Sequence, residues 1–212
     1  MRSLALLSML LTGAFGQTSQ IPYAPDNGPL FSNDQISHLY PGSFSSIRRV
    51  NFRNFRYLSF DEAGNPTEDF SLRNGHYQHD EPLDRQSIDL DSIRYLGGSS
   101  SALILLSYFA AAGSSSQGGM AKVFTVSDGH LRIVQAIVWD THFQAGQPTE
   151  SFDPDANTLV IRSAHYIPGD AHCCVSAMDV VRFRWDGTHF VQTGLQTELS
   201  EYGKKEGKTL PR

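Results

Sequence analysis

Val180-Val181-Arg182-Phe183-Arg184-Trp185-Asp186-Gly187-Thr188-His189-Phe190-Val191-Gln192 is the stretch that decides the fold. Val181, Phe183 and Trp185 alternate with Arg182 and Arg184, the period of a strand with one buried and one wet face. Asp186-Gly187 supplies a turn before the chain resumes at His189-Phe190-Val191-Gln192, so the segment reads as a β-hairpin.

Working outward, Val123 to Val126 and Leu131 to Trp139 flank Ser127-Asp128-Gly129 as a second hairpin, and Leu159 to Tyr166 is a further strand. The N-terminal part repeats the pattern at Val50-Asn51-Phe52, Phe55-Arg56-Tyr57, Phe70-Ser71-Leu72 and Ile88 to Leu96. The aromatic spacing slips by one between Phe52 and Phe55, as a bulge would make it. The run Ala102 to Ala112 is apolar throughout and fits a buried helix or a central strand. Its Ile, Leu, Tyr and Phe content and its Gly/Ser-rich flanks (Gly97 to Ser101 and Gly113 to Gly119) favour the strand. No long segment carries a helical period. Strands joined by short turns predict a mostly β fold, with a β-rich α+β arrangement as the alternative. The expected form is a single twisted, mainly antiparallel sheet or partial barrel built from hairpins.

The chain opens with Met1-Arg2-Ser3, an apolar run from Leu4 to Leu11, and small residues at Ala14 and Gly16, the layout of a signal peptide cleaved after Gly16. The run is too short to span a bilayer, and no cysteine follows the cleavage site to carry a lipid, so no membrane anchor is expected. The mature protein is expected to be secreted or periplasmic. Residues 17–44, rich in Pro, Gly, Ser and Asn, read as an irregular N-terminal arm, 45–195 as a single β-rich domain, and 196–212 as a flexible charged tail. A formal charge of −5 argues against a nucleic-acid partner, which would demand phosphate neutralisation. An envelope component or a small ligand remains as the partner class. The lack of a usable Asn-X-Ser/Thr acceptor, since Pro66 follows Asn65, favours a bacterial source.

Cys173 and Cys174 are the only cysteines, and they are adjacent. In an oxidising compartment they can form one intramolecular bond, to each other, closing a small strained ring that locks a turn. The alternatives are a redox-active pair beside His172, for which the spacing is wrong for C-x-x-C chemistry, and a reduced pair.

Gly169-Asp170-Ala171-His172-Cys173-Cys174-Val175-Ser176, followed by the aromatic hairpin from Val180 to Gly187, resembles a group of bacterial secreted and lipoprotein domains of unknown function, called LppP/LprE-like. The resemblance is most specific over the last thirty or so residues of the 45–195 region. It implies an exported domain and transfers no catalytic residue.

Five polar side chains gather near the same end of the sequence: Asp140, His142, His165, Asp170 and His172. Asp140-Thr141-His142 and Asp170-Ala171-His172 share a D-x-H spacing that could ligate zinc or another divalent ion, although solvated loop residues give the same pattern. No G-x-S-x-G elbow occurs. Asp89, Asp91, Glu62 and Glu68 read as exposed strand and loop residues. Arg182 and Arg184 beside Trp185 are the candidate ligand-binding residues, against the plainer reading of arginines on a wet sheet face. Nothing implies a cofactor. The expectation is a non-enzymatic binding or structural module; the competing reading is a small metal-dependent or thiol-active enzyme centred on His142, His165, Asp170, His172, Cys173 and Cys174.

Overall fold

The apolar run predicted as a central strand is one, and it lies in the middle of the molecule. In a computed structural model, which describes residues 31–60, 65–81, 84–111, 115–141, 149–170 and 174–210, Ser101–Ala111 is a strand with no wet face over its first half. Ala102, Ile104, Leu106 and Tyr108 enter one core, and Leu103 and Leu105 enter another. A strand packed on both faces has no polar positions to alternate with, which is why its sequence shows no period.

The described strands are β1 (Phe31–Leu39), β2 (Arg56–Phe60), β3 (Pro66–Ser71), β4 (His76–Glu81), β5 (Asp84–Leu96), β6 (Ser101–Ala111), β7 (Ser115–Ser127), β8 (His130–Asp140), β9 (Glu150–Asp153), β10 (Thr158–His165), β11 (Ala177–Trp185) and β12 (Phe190–Leu199). A short helix, α1 (Glu201–Lys205), follows them. The chain is mostly β, with antiparallel sheets that do not close into a barrel. In place of the single sheet expected, the strands divide into a six-stranded sheet (β1-β8-β7-β6-β5-β4), a four-stranded sheet (β12-β11-β10-β9) and the β2–β3 pair. The six-stranded sheet is the middle layer. One face packs with Phe52, Tyr57, Leu58 and Phe70 of the N-terminal segment, and the other with Leu159, Ile161, Val181, Phe183 and Phe190 of the four-stranded sheet.

Both predicted hairpins are present. β7 and β8 turn at Asp128-Gly129, with Asp128 at φ 53° and Gly129 at φ 76°. β11 and β12 turn through Asp186, whose carboxylate accepts the backbone N–H groups of Thr188 (2.7 Å) and His189 (2.8 Å) and holds the loop closed. Three local expectations fail. Val50-Asn51-Phe52 is not a strand: 3₁₀ turns at Ile47–Arg49 and Phe52–Asn54 bury Ile47, Val50 and Phe52 instead. The irregular arm contains β1, which pairs with β8; as an edge strand it keeps polar residues that disguise it. The charged tail is folded from its start, because β12 runs to Leu199 and Ser200 caps α1 by accepting the N–H of Gly203 at 3.0 Å. Gly203 lies so close to Ser176 that a Cβ there would stand 2.1 Å from the Ser176 carbonyl oxygen.

Candidate functional site

The residues singled out by sequence fall in two places: the loop joining β10 to β11, and the outer face of the four-stranded sheet.

At the loop, β10 ends at His165, opposite Ala177 of β11. Gly169 at φ 89° turns the chain, and Asp170 then closes the loop's base. One of its oxygens accepts the N–H groups of Ile167 (3.1 Å) and Ser176 (2.8 Å), and the other accepts the Ser176 hydroxyl. Asp170 therefore spends its carboxylate joining the two limbs of the loop. Ser200 adds a second tie, its hydroxyl donating to the Val175 carbonyl at 2.6 Å.

His165 is engaged by a residue that the sequence reading passed over. Its Nδ1 lies 3.0 Å from Asp179, whose second oxygen accepts the Thr197 hydroxyl at 2.6 Å. Asp179 is buried although it is a carboxylate. Its signal was present in the sequence: the alternation that turns Val181 and Phe183 inward turns Asp179 inward as well. Two inward donors, from β10 and β12, make that burial tolerable. Asp140 contributes through its backbone, its carbonyl accepting the Ser163 hydroxyl at 3.3 Å. The structure thus brings together His165, Asp179 and Thr197 as one network and uses Asp170 in another. His142, His172 and Cys173 lie outside the described residues. Cys174 is not a free thiol. Among the described residues no group of three or more His, Cys, Asp or Glu side chains could hold a metal ion.

Asp89 and Asp91 are exposed on β5, as expected, and each is engaged; Glu62 lies outside the described residues. Asp89 pairs with His76 at 2.7 Å, which raises the pKa of that imidazole. Asp91 occupies a bulge in β5 and accepts the Ser107 hydroxyl at 3.2 Å. Its carboxyl is pushed up to about 6, first by desolvation and then by Glu150, which reaches it from β9 of the other sheet.

On the four-stranded sheet the alternation read from sequence holds. Val181 and Phe183 are fully buried, and Trp185 packs inward against Phe190 with ring centroids 5.3 Å apart. Arg182 and Arg184 are exposed on the opposite face. Trp185 and the two arginines are therefore not brought into one groove. Arg162 of β10 lies on the arginines' side, because Val160 pairs with Arg182 and Arg162 with Val180. Among the described residues none of these three guanidinium groups has a carboxylate or hydrogen-bond partner.

No helix among the described residues is long and apolar enough to cross a membrane. No family model, curated protein or solved structure matches the chain.

Proposed function

We propose that this is an exported bacterial β-sandwich module that acts by binding, with the Cys173–Cys174 pair bonded as a turn clamp in the stretch of sequence between β10 and β11, in keeping with the LppP/LprE-like resemblance of that segment. The observation that carries the reading is how the polar candidates are spent. Asp170 and Asp179, the carboxylates best placed for chemistry, are filled by donors of the fold itself, while Arg182 and Arg184 face solvent without a partner. A carboxylate saturated by backbone and hydroxyl donors stabilises a loop and has little left to offer a metal.

Zinc titration of the purified oxidised protein tests this against the metal-dependent alternative. The module reading expects no stoichiometric binding by calorimetry, and His165→Ala to leave the heat trace unchanged. One zinc per chain at micromolar affinity, lost in His165→Ala and in Asp170→Asn, would overturn it in favour of the enzyme centred on His142, His165, Asp170 and His172.

A further inference from the structure

The outer face of the four-stranded sheet carries an uncompensated row of positive charge in a chain whose formal charge is −5. Register fixes the layout. Across β10, β11 and β12 the outward positions run Thr158, Arg184, Val191 in one row, Val160, Arg182, Gly194 in the next, and Arg162, Val180, Gln196 in the third. None of those positions is Asp or Glu, although acidic residues outnumber basic ones in the whole sequence, 22 to 17; Val180 is buried between its neighbours, and the first acid along this face of β12 is Glu198, in the row beyond Gln196 and opposite Met178. The nearest acid on the adjoining edge strand, Asp153, is turned to its own loop, accepting the N–H groups of Asp155 (2.9 Å) and Ala156 (3.1 Å).

Arg184 and Arg182 are two residues apart on one strand, a separation of about 7 Å. Arg162 is the diagonal neighbour of Arg182, at about 7–8 Å. The three therefore form a staggered line with the repeat of alternate residues in an extended chain. Gly194, directly across from Arg182, raises no side chain beside it and leaves that guanidinium open from the β12 side. Val191, 44% exposed, sits beside Arg184, and Val160 sits beside Arg182.

We infer that this face docks an extended acidic polypeptide segment with carboxylates at alternate positions, each received by one of Arg162, Arg182 and Arg184. The repeat favours a strand-like ligand, and guanidinium forks suit carboxylates in paired hydrogen bonds. In such a ligand the carboxylates share one face and meet the arginines, while the intervening side chains point away from the sheet. The inference rests on the binding reading above and names the partner's chemistry.

The probe is a fluorescein-labelled nine-residue peptide alternating Asp and Val, followed by anisotropy with the purified full chain at low salt. Saturable binding is expected, weakening as salt shortens the screening length. Changing Arg162, Arg182 and Arg184 together to Gln should reduce affinity by at least about threefold, since each exposed charge pair contributes between about 1.4-fold and fivefold and the three multiply. An alternating Lys and Val peptide should not bind. A matching thermal melt shows that the triple variant is folded, and single Arg→Lys changes should retain partial binding. No binding by the Asp peptide, affinity unchanged in the folded triple variant, or tighter binding of polyphosphate or of anionic lipid vesicles through the same arginines would each overturn the inference. Because the assay uses purified protein, peptide binding by a chain that stays in the cytoplasm would uphold this surface and refute only export.

Discussion

The side chain of Gln135 holds both backbone groups of Phe190: its Nε2 donates to the Phe190 carbonyl at 2.8 Å and its Oε1 accepts the Phe190 N–H at 2.7 Å. Gln135 belongs to β8 and Phe190 opens β12, so this pair of bonds fastens the six-stranded sheet to the four-stranded one. Gln135 is completely buried, and Asn33 of β1 takes another of its Nε2 hydrogens at 2.7 Å. One amide thus takes the place of a neighbouring strand at the edge residue of β12. Gln135→Leu keeps the bulk and strands the Phe190 groups, so it should cost about 2–3 kcal/mol in urea unfolding. A loss below about 0.5 kcal/mol would mean that the sheets are held by apolar contacts alone.

Lys122 points from the middle of β7 into the aromatic layer, its side chain 9% exposed, with Asp69 at 3.1 Å and the Phe70 ring at 5.2 Å. Asp69→Ala leaves a buried ammonium without its carboxylate and should destabilise by about 3 kcal/mol. Lys122→Met combined with Asp69→Leu should return the protein to within about 1 kcal/mol of the parent. A double variant as unstable as Asp69→Ala would contradict the desolvation argument.

Asp91 makes stability fall as pH rises. Its carboxyl titrates near 6 in the folded state, above its usual value, so the protonated form is favoured by folding and that contribution disappears as pH climbs from about 4 through 6. The side chain is partly solvated, so the effect should be about 1 kcal/mol rather than the full value of the shift. Asp91→Asn should flatten that part of the pH profile and stabilise the protein at pH 8. An unchanged slope between pH 4 and 7 would remove Asp91 as its source.

Gly119 is required by Trp139. A Cβ at Gly119 would stand 2.1 Å from Cζ2 and 2.4 Å from Cε2 of the indole, which is buried. Gly119→Ala should cost about 1–3 kcal/mol through overpacking, measured by thermal or urea melts. A neutral result would show that the indole can move aside.

That glycine also explains how far the sequence could be read. Hairpins were legible wherever a turn residue interrupted a clear alternation, as at Asp128-Gly129 and Asp186-Gly187, and β6 was legible from its composition. The start of β7 was not, since Gly118 and Gly119 resemble a flexible flank until Tyr108 and Trp139 are seen to cover them. β1 was hidden by the polar residues that an edge strand tolerates. At the candidate site, the facing of Val181, Arg182, Phe183 and Arg184 was readable from period alone, which also separates Trp185 from the arginines. The partners of His165 and Asp170 were not, because Asp179, Thr197 and Ser176 reach them through strand register and loop closure, which a linear motif does not encode.

The most direct test of the account is the intact mass of the full chain recovered from the cell envelope and medium, taken without reduction and after treatment with an alkylating reagent. An exported module with a clamped cysteine pair predicts a chain beginning at Gln17, two hydrogens lighter than the dithiol form, with no alkyl group added. A chain retaining Met1 in the cytosol, or one carrying two alkyl groups, would contradict it.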